Sequence, residues 1–328
     1  MKAVRIHSHG DASVLNYEDV PAPELKPGQA LVAVEAAGLN YIDVYHRTGA
    51  YTGPMPVTLG QEGAGTVTHV ANDVTMVKPG DRVAWTGIFG SYAQIAAIAV
   101  DRLVSIPPGI TTRQAAAAML QGMTAHYLAK STYPLKPGDT CLVHAGAGGV
   151  GLLLTQIGKM CGAQVITTVS SNEKAALSRD AGADHVINYT TAEFDQEVRR
   201  ITNGRGVQVV YDSVGKTTFD RSLNSLATRG MMVLFGQSSG PVAPVDPAIL
   251  VGKGSIFLTR PSLVHHIVTR AELVGRAQEL FDWIQSGRLR LRMEHEFPLE
   301  QAAEAHRALE GRRTTGKVLL IPAVPALT

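Results

Sequence analysis

Residues 140–151 read TCLVHAGAGGVG, a short apolar run that ends in a cluster of glycines. The run 140–145 is β-prone. After the glycines, Val150, Leu153, Leu154 and Ile157 are spaced as one face of a helix, and Gly162 is placed to stop it. Gly146, Gly148 and Gly151 fit G-x-G-x-x-G at a strand–turn–helix junction. The first glycine permits a tight turn, the second lets a pyrophosphate approach the backbone, and the third lets the helix pack close to the strand. The first helical turn, with Gly149 and Val150, then offers free N–H groups and partial positive charge to a phosphate. A plain tight turn is the competing reading of the glycines alone. The strand before and the helix after favour the dinucleotide site.

Downstream the same alternation continues. Residues 163–169, 184–189, 207–215, 231–236 and 255–260 read as strands, and 172–181, 194–202 and 219–227 as helices. With 140–145 this makes six strands interleaved with helices, an α/β pattern that implies a doubly wound six-stranded parallel sheet, a Rossmann domain. The first 120 residues differ. Short β-like runs punctuated by Pro and Gly, including Lys26-Pro27-Gly28 and Lys78-Pro79-Gly80, imply a mostly antiparallel β domain. Near the C-terminus, 272–286 and 299–310 read as helices, the second with Leu299, Ala302, Ala303, His306 and Leu309 aligned. Residues 316–322 read as a closing strand, and 287–293, where Arg alternates with apolar residues, as a half-exposed strand.

Composition narrows the function classes. The chain has 328 residues, 45% hydrophobic and 18% charged, with a net charge of +2. That balance speaks against nucleic acid or an anionic membrane as the main partner. No apolar run is long enough to span a membrane and the start lacks the apolar core of a signal peptide, so the expected location is the cytoplasm. The two cysteines, Cys141 and Cys161, are expected as buried reduced thiols.

The second Rossmann strand distinguishes the two nicotinamide dinucleotides. An NAD site places an acidic residue near its end, where the carboxylate binds the ribose hydroxyls. Here Ser170 and Ser171 take that place, Glu173 comes late and Lys174 follows it. Hydroxyls and a lysine favour a 2′-phosphate, so the expected cofactor is NADPH.

Together with this loop, AAGLNYIDVYHRTGAY (36–51), GQEGAGTV (60–67), VVYDSVG (209–215), TRPSL (259–263) and TGKVLLIP (315–322) resemble the medium-chain dehydrogenase/reductase superfamily. Within it, the chain is similar to the zinc-free NADPH:quinone oxidoreductases of the zeta-crystallin-like branch, over essentially its whole length. The resemblance implies a bilobed fold. Residues 1–122 and 264–328 would form a GroES-like catalytic domain, residues 123–263 the NADPH domain, with the ligand in the cleft between. It also implies a homodimer paired through the Rossmann domain, for which the apolar run 255–260 is suited as an edge. Zinc-containing relatives carry Cys where this chain has Asn40 and His where it has Gln61, and they add a four-cysteine lobe that two cysteines cannot supply. No metal is therefore expected.

By the same resemblance, Asn40, Tyr45, Tyr51 and Thr124 line the reaction site, Gln61 and Gln121 less securely. The tyrosines offer flat faces and hydroxyls to a quinone, while solvent remains an alternative proton source. Asp43 reads as a local cap. Lys174, Tyr189 and Arg312 (or its neighbour Arg313) are implied for the 2′-phosphate. Ser213, Phe235, Gln237 and Ser238 are expected beside the cofactor, with Asp212 structural. Reduction of an activated C=C bond is the second enzymatic reading. RNA binding or a crystallin-like structural role is the reading from another class.

Overall fold

The computed structural model describes residues 1–323; the last part of the expected catalytic segment, 324–328, lies outside them. The chain forms two compact units, residues 124–265 and residues 1–123 with the segment from 266 onward. The helix Thr112–Tyr127 runs through the junction at 123/124. It was not anticipated, because its run of alanines is apolar all round and shows no one-sided stripe.

The first unit is a six-stranded, all-parallel sheet. In spatial order its strands are His185–Asn188, Gln164–Val169, Thr140–Val143, Val207–Asp212, Leu226–Leu234 and Phe257–Thr259. Cys141, Leu142 and Val143 are fully buried, as a central strand packed on both faces requires. Leu142, Ile166, Val210 and Met232 meet Phe194, Val198, Phe219 and Leu223 of two flanking helices in one core. The strand order reverses direction between Thr140–Val143 and Val207–Asp212. The turns leaving those two strands therefore flank the switch point, where open α/β sheets bind ligands. All six strands lie where the sequence reading places them, but with shifted limits, the fourth ending at Asp212 rather than 215. The fifth strand starts earlier, at Leu226, and the sixth is trimmed to Phe257–Thr259.

The second unit is mostly antiparallel. A seven-stranded sheet is built around the long strand Gln29–Leu39, which pairs with Glu62–Val70, Ile95–Ala99 and Val318–Ile321. Alternate residues of this strand, Ala30, Val32 and Val34, enter a core with Trp85, Tyr92, Leu103 and Leu320. A three-stranded sheet and the helices Arg270–Gln285 and Ala302–Glu310 complete the unit. Residues 287–293 are turn and irregular chain, not the expected strand. Leu289 is buried and its N–H is bound to the Trp283 carbonyl at the preceding helix end, which holds the segment off any sheet. Neither cysteine forms a disulfide; Cys141 is buried as expected, with its thiol pushed up to about 12 by burial, but Cys161 is only half-buried.

Candidate active site

The glycine turn is built by sterics. Ala145 takes a left-handed backbone, φ 53°, and its carbonyl accepts from the Gly148 N–H at 2.8 Å. A Cβ on Gly151 would lie 2.2 Å from that same carbonyl oxygen, and one on Gly146 would lie 2.6 Å from Thr167 Cβ. Both glycines are buried and demanded by packing. Gly148 is different: a Cβ there would meet only the Ala145 oxygen at 3.2 Å and the Ala145 Cβ at 3.8 Å. Gly148, Gly149 and Val150 are partly exposed. Gly148 begins the helix Gly149–Met160 with no side-chain cap on its first turn. The first-turn N–H groups thus have no side-chain cap, the arrangement at which helix N-termini receive anions in general.

Two further groups stand at the carboxyl ends of the strands. At the second strand, Tyr189 N–H binds the Val169 carbonyl at 3.0 Å, next to Ser170. Ser171 caps the helix Asn172–Asp180 through the Lys174 N–H. Ser170, Lys174 and Tyr189 therefore share one corner. At the fourth strand, Asp212 is fully buried and accepts from the N–H groups of Val214 and Gly215 and from the hydroxyls of Thr218 and Ser222. It is structural, and it shapes the turn that carries Ser213. The Ser213 carbonyl accepts from Ser238 N–H at 3.1 Å, and Arg260 donates to Gln237 at 3.3 Å. Ser213, Phe235, Gln237 and Ser238 are thereby joined in one pair of interlocked loops. Thr124 is buried in the helix Thr112–Tyr127.

In the other unit, Asn40 ends the long strand and caps the helix Tyr41–Thr48. Asp43 returns the cap by accepting from Asn40 N–H at 2.9 Å, the local role expected of it. The Asn40 amide is committed inward. Its oxygen accepts from Lys317 Nζ at 2.9 Å, and its nitrogen donates to Glu62 at 2.9 Å and to the Gly38 carbonyl at 3.3 Å. Lys317 and Glu62 form a buried ion pair, and Glu62 also accepts from Leu120 N–H. The pair fits because residue 38 is glycine: a Cβ there would fall 2.1 Å from the Glu62 carboxylate. Tyr45 and Tyr51 are half-buried, their rings edge to face at 5.3 Å, and Tyr41 lies 6.0 Å from Tyr45. Arg312 follows the helix Ala302–Glu310 in a left-handed turn, and its neighbour Arg313 pairs with Glu304.

Sequence reasoning missed a second buried chain. Arg47 is 1% exposed, pairs with Glu310 through two contacts of 2.8 and 2.7 Å, and donates to His306 Nδ1 at 3.1 Å. A guanidinium only donates, so Nδ1 is unprotonated and Nε2–H points to the Tyr92 hydroxyl at 3.3 Å. Tyr92 then donates to Asp43 at 3.2 Å. Burial raises Asp43 to about 7 and, with Arg47, lowers His306 to about 3. The visible signal was His306 on the apolar face of a helix. Arg47 and Lys317 gave no signal, because their burial depends on partners far along the chain.

Family models for the alcohol dehydrogenase GroES-like domain and the zinc-binding dehydrogenase match residues 26–108 and 181–320. A quinone oxidoreductase of Pseudomonas aeruginosa is 45% identical over 98% of this chain and 99% of its own. The chain belongs to the quinone oxidoreductase family of medium-chain dehydrogenases and reductases. The solved Escherichia coli quinone oxidoreductase complexed with NADPH is 42% identical, with a TM-score of 0.96 over 98% of this chain and all of that one. A 2-haloacrylate reductase from a Burkholderia species is 39% identical over 98% of both chains. This family member is an oxidoreductase acting on a small molecule. No helix among the described residues is long and apolar enough to cross a membrane. The zinc that the family model's description implies does not fit the residues present. Asn40 already faces the Lys317 ammonium, and no group of three His, Cys, Asp or Glu among the described residues is arranged to hold a metal.

Proposed function

We propose that the protein is an NADPH-dependent, metal-independent quinone reductase. Asn40 carries the reading. Its amide is locked between an ammonium and a carboxylate, a setting that supplies neither a metal ligand nor a Lewis acid for an alkoxide. A quinone needs neither, because it is already electrophilic and becomes aromatic on accepting two electrons and two protons. When bound, NADPH supplies the hydride. Tyr45 and Tyr51 offer the faces against which a flat ring can lie and hydroxyls for its carbonyl oxygens. Asn40 acts by fixing the start of the helix that carries Tyr45.

For the cofactor, Gly148 and the uncapped helix turn accept the pyrophosphate, and Ser170, Lys174 and Tyr189 the 2′-phosphate. Ser213, Phe235, Gln237 and Ser238 lie toward the nicotinamide half. The protein is cytoplasmic in this reading and forms a homodimer through the strand Phe257–Thr259. Among the described residues that strand pairs on one side only, and Phe257 is 57% exposed.

The similarity to a 2-haloacrylate reductase favours activated C=C reduction as the second reading. NADPH oxidation with a panel of quinones, enones and 2-haloacrylates, with and without chelator and repeated with NADH, separates the two. Quinone-dependent, chelator-insensitive oxidation that prefers NADPH is expected. Turnover confined to alkenes, or abolished by chelator, would overturn the proposal.

A further inference from the structure

His144 opens the glycine turn, yet its ring is buried, 2% exposed. The ring hydrogen-bonds to two side chains, Thr168 Oγ1 at 2.9 Å from Nδ1 and Ser222 Oγ at 2.9 Å from Nε2, and Nε2 lies 3.9 Å from the Asp212 carboxylate. The proton positions follow from Asp212. The Ser222 hydroxyl has one proton and gives it to the Asp212 carboxylate at 2.9 Å. Ser222 must therefore accept from His144 Nε2–H, which leaves Nδ1 to accept from the Thr168 hydroxyl. Burial disfavours a second proton on the ring, and the Phe194 ring lies edge to face at 4.8 Å.

Each partner leads to a different loop. The Thr168 carbonyl accepts from Gly146 N–H at 2.9 Å, and Thr168 stands two residues before Ser170. The other oxygen of Asp212 accepts from Val214 and Gly215 at 2.7 and 2.9 Å, which fixes the Ser213 turn. The glycine turn, the Ser170 corner and the Ser213 turn are thus tied to one imidazole. A dinucleotide laid along this edge of the sheet needs all three at fixed spacing.

We propose that His144 is a positioning residue for the dinucleotide, holding the three loops in register through Thr168 and Ser222. The inference rests on the reading of this unit as the NADPH site. It predicts a loss of affinity for both dinucleotides, since His144 acts on the frame and not on one contact.

The test is titration of the full chain with NADPH and with NADH, followed by intrinsic fluorescence, for wild type, His144→Leu and His144→Gln. His144→Leu is expected to raise both Kd values about tenfold, while kcat at saturating NADPH changes less than about twofold. Gln can donate to Ser222 and accept from Thr168, so His144→Gln is expected to restore most of the affinity. Wild-type Kd values in His144→Leu, or a rise for NADPH alone, would overturn the inference. So would a Gln variant no better than Leu. If His144→Leu does not fold, Ser222→Ala decides: about a threefold rise in both Kd values supports the proposal, and unchanged values overturn it. A wild-type chain that binds neither dinucleotide would overturn the cofactor reading, and this inference with it.

Discussion

Each of the two units buries a histidine in a polar cluster, and the clusters are built on opposite plans. Around His144 the partners are hydroxyls, and the one charge, Asp212, is met by four donors. Around His306 the chain runs from Glu310 and Arg47 through Tyr92 to Asp43. Asn40 lies between Asp43 and the ion pair of Glu62 with Lys317. That second cluster leaves Asp43 Oδ1 buried without a partner. The hydroxyl cluster fixes its geometry mainly through neutral groups, although burial lowers His144 and so makes this unit too less stable as pH falls. The charged cluster ties the stability of its unit to pH and to each member remaining in place.

Removing one charge should show the contrast most strongly. Arg47→Ala strips Glu310, His306 and the Gly10 carbonyl of their donor at once. Breaking a buried, hydrogen-bonded charge in this way costs about 3–5 kcal/mol. Ser222→Ala in the other cluster leaves neutral His144 and one lone pair of Asp212 short of a partner, a loss of about 1–2 kcal/mol. Urea unfolding of both variants measures the difference. Equal losses would mean that the two clusters do not differ in kind.

The pH response sharpens the same contrast. Burial raises Asp43 from 3.8 to about 7. Between those values the folded chain holds a proton that the unfolded chain has released, so this group makes stability fall as pH rises. His306 goes the other way, from 6.5 to about 3. The unfolded chain holds the extra proton there, so stability rises with pH. Each slope approaches about 1.4 kcal/mol per pH unit, and between about pH 4 and 6.5 they oppose one another. Asp43→Asn should uncover the rising slope and His306→Gln the falling one, read as the difference from wild type in unfolding free energy. Slopes of the same sign in both variants would refute the opposition.

The two clusters also differ in how much of them the sequence disclosed. His144, Thr168 and Ser222 lie within 78 residues of one another, the first just past a strand, the others on a strand and a helix that periodicity locates. The parallel order of those elements follows from their alternation, and the glycine spacing marks the loop. Arg47 and His306 are 259 residues apart, and Lys317 and Asn40 277. No local pattern announces that these ends of the chain meet. Arg47 and Lys317 carry the signature of surface residues and are buried only because Glu310 and Glu62 face them. The helix over Thr112–Tyr127 and the strandless stretch 287–293 fail for a related reason. In one the alanines hide the apolar face, and in the other alternation exists without a partner strand to pair with.

The smallest expected stability effect is also the one that best separates fold from function in the glycine turn. Gly151→Ala would set a Cβ 2.2 Å from the Ala145 carbonyl oxygen, and Gly146→Ala one 2.6 Å from Thr167 Cβ. Neither neighbour is a flexible side-chain end, so each variant should lose about 1–3 kcal/mol. Gly148 has φ −78° and ψ 169°, which alanine adopts freely, and its nearest neighbour would stand at 3.2 Å. The reduced freedom of the unfolded chain offsets that mild crowding, so Gly148→Ala should stay within about 1 kcal/mol of wild type. Its methyl group, however, would lie on the partly exposed side of the turn, where a pyrophosphate is proposed to approach. NADPH affinity should therefore fall in Gly148→Ala while the melting temperature holds. If the affinity also holds, the second glycine is there for the turn alone, and the site assigned to the phosphates must move along the helix.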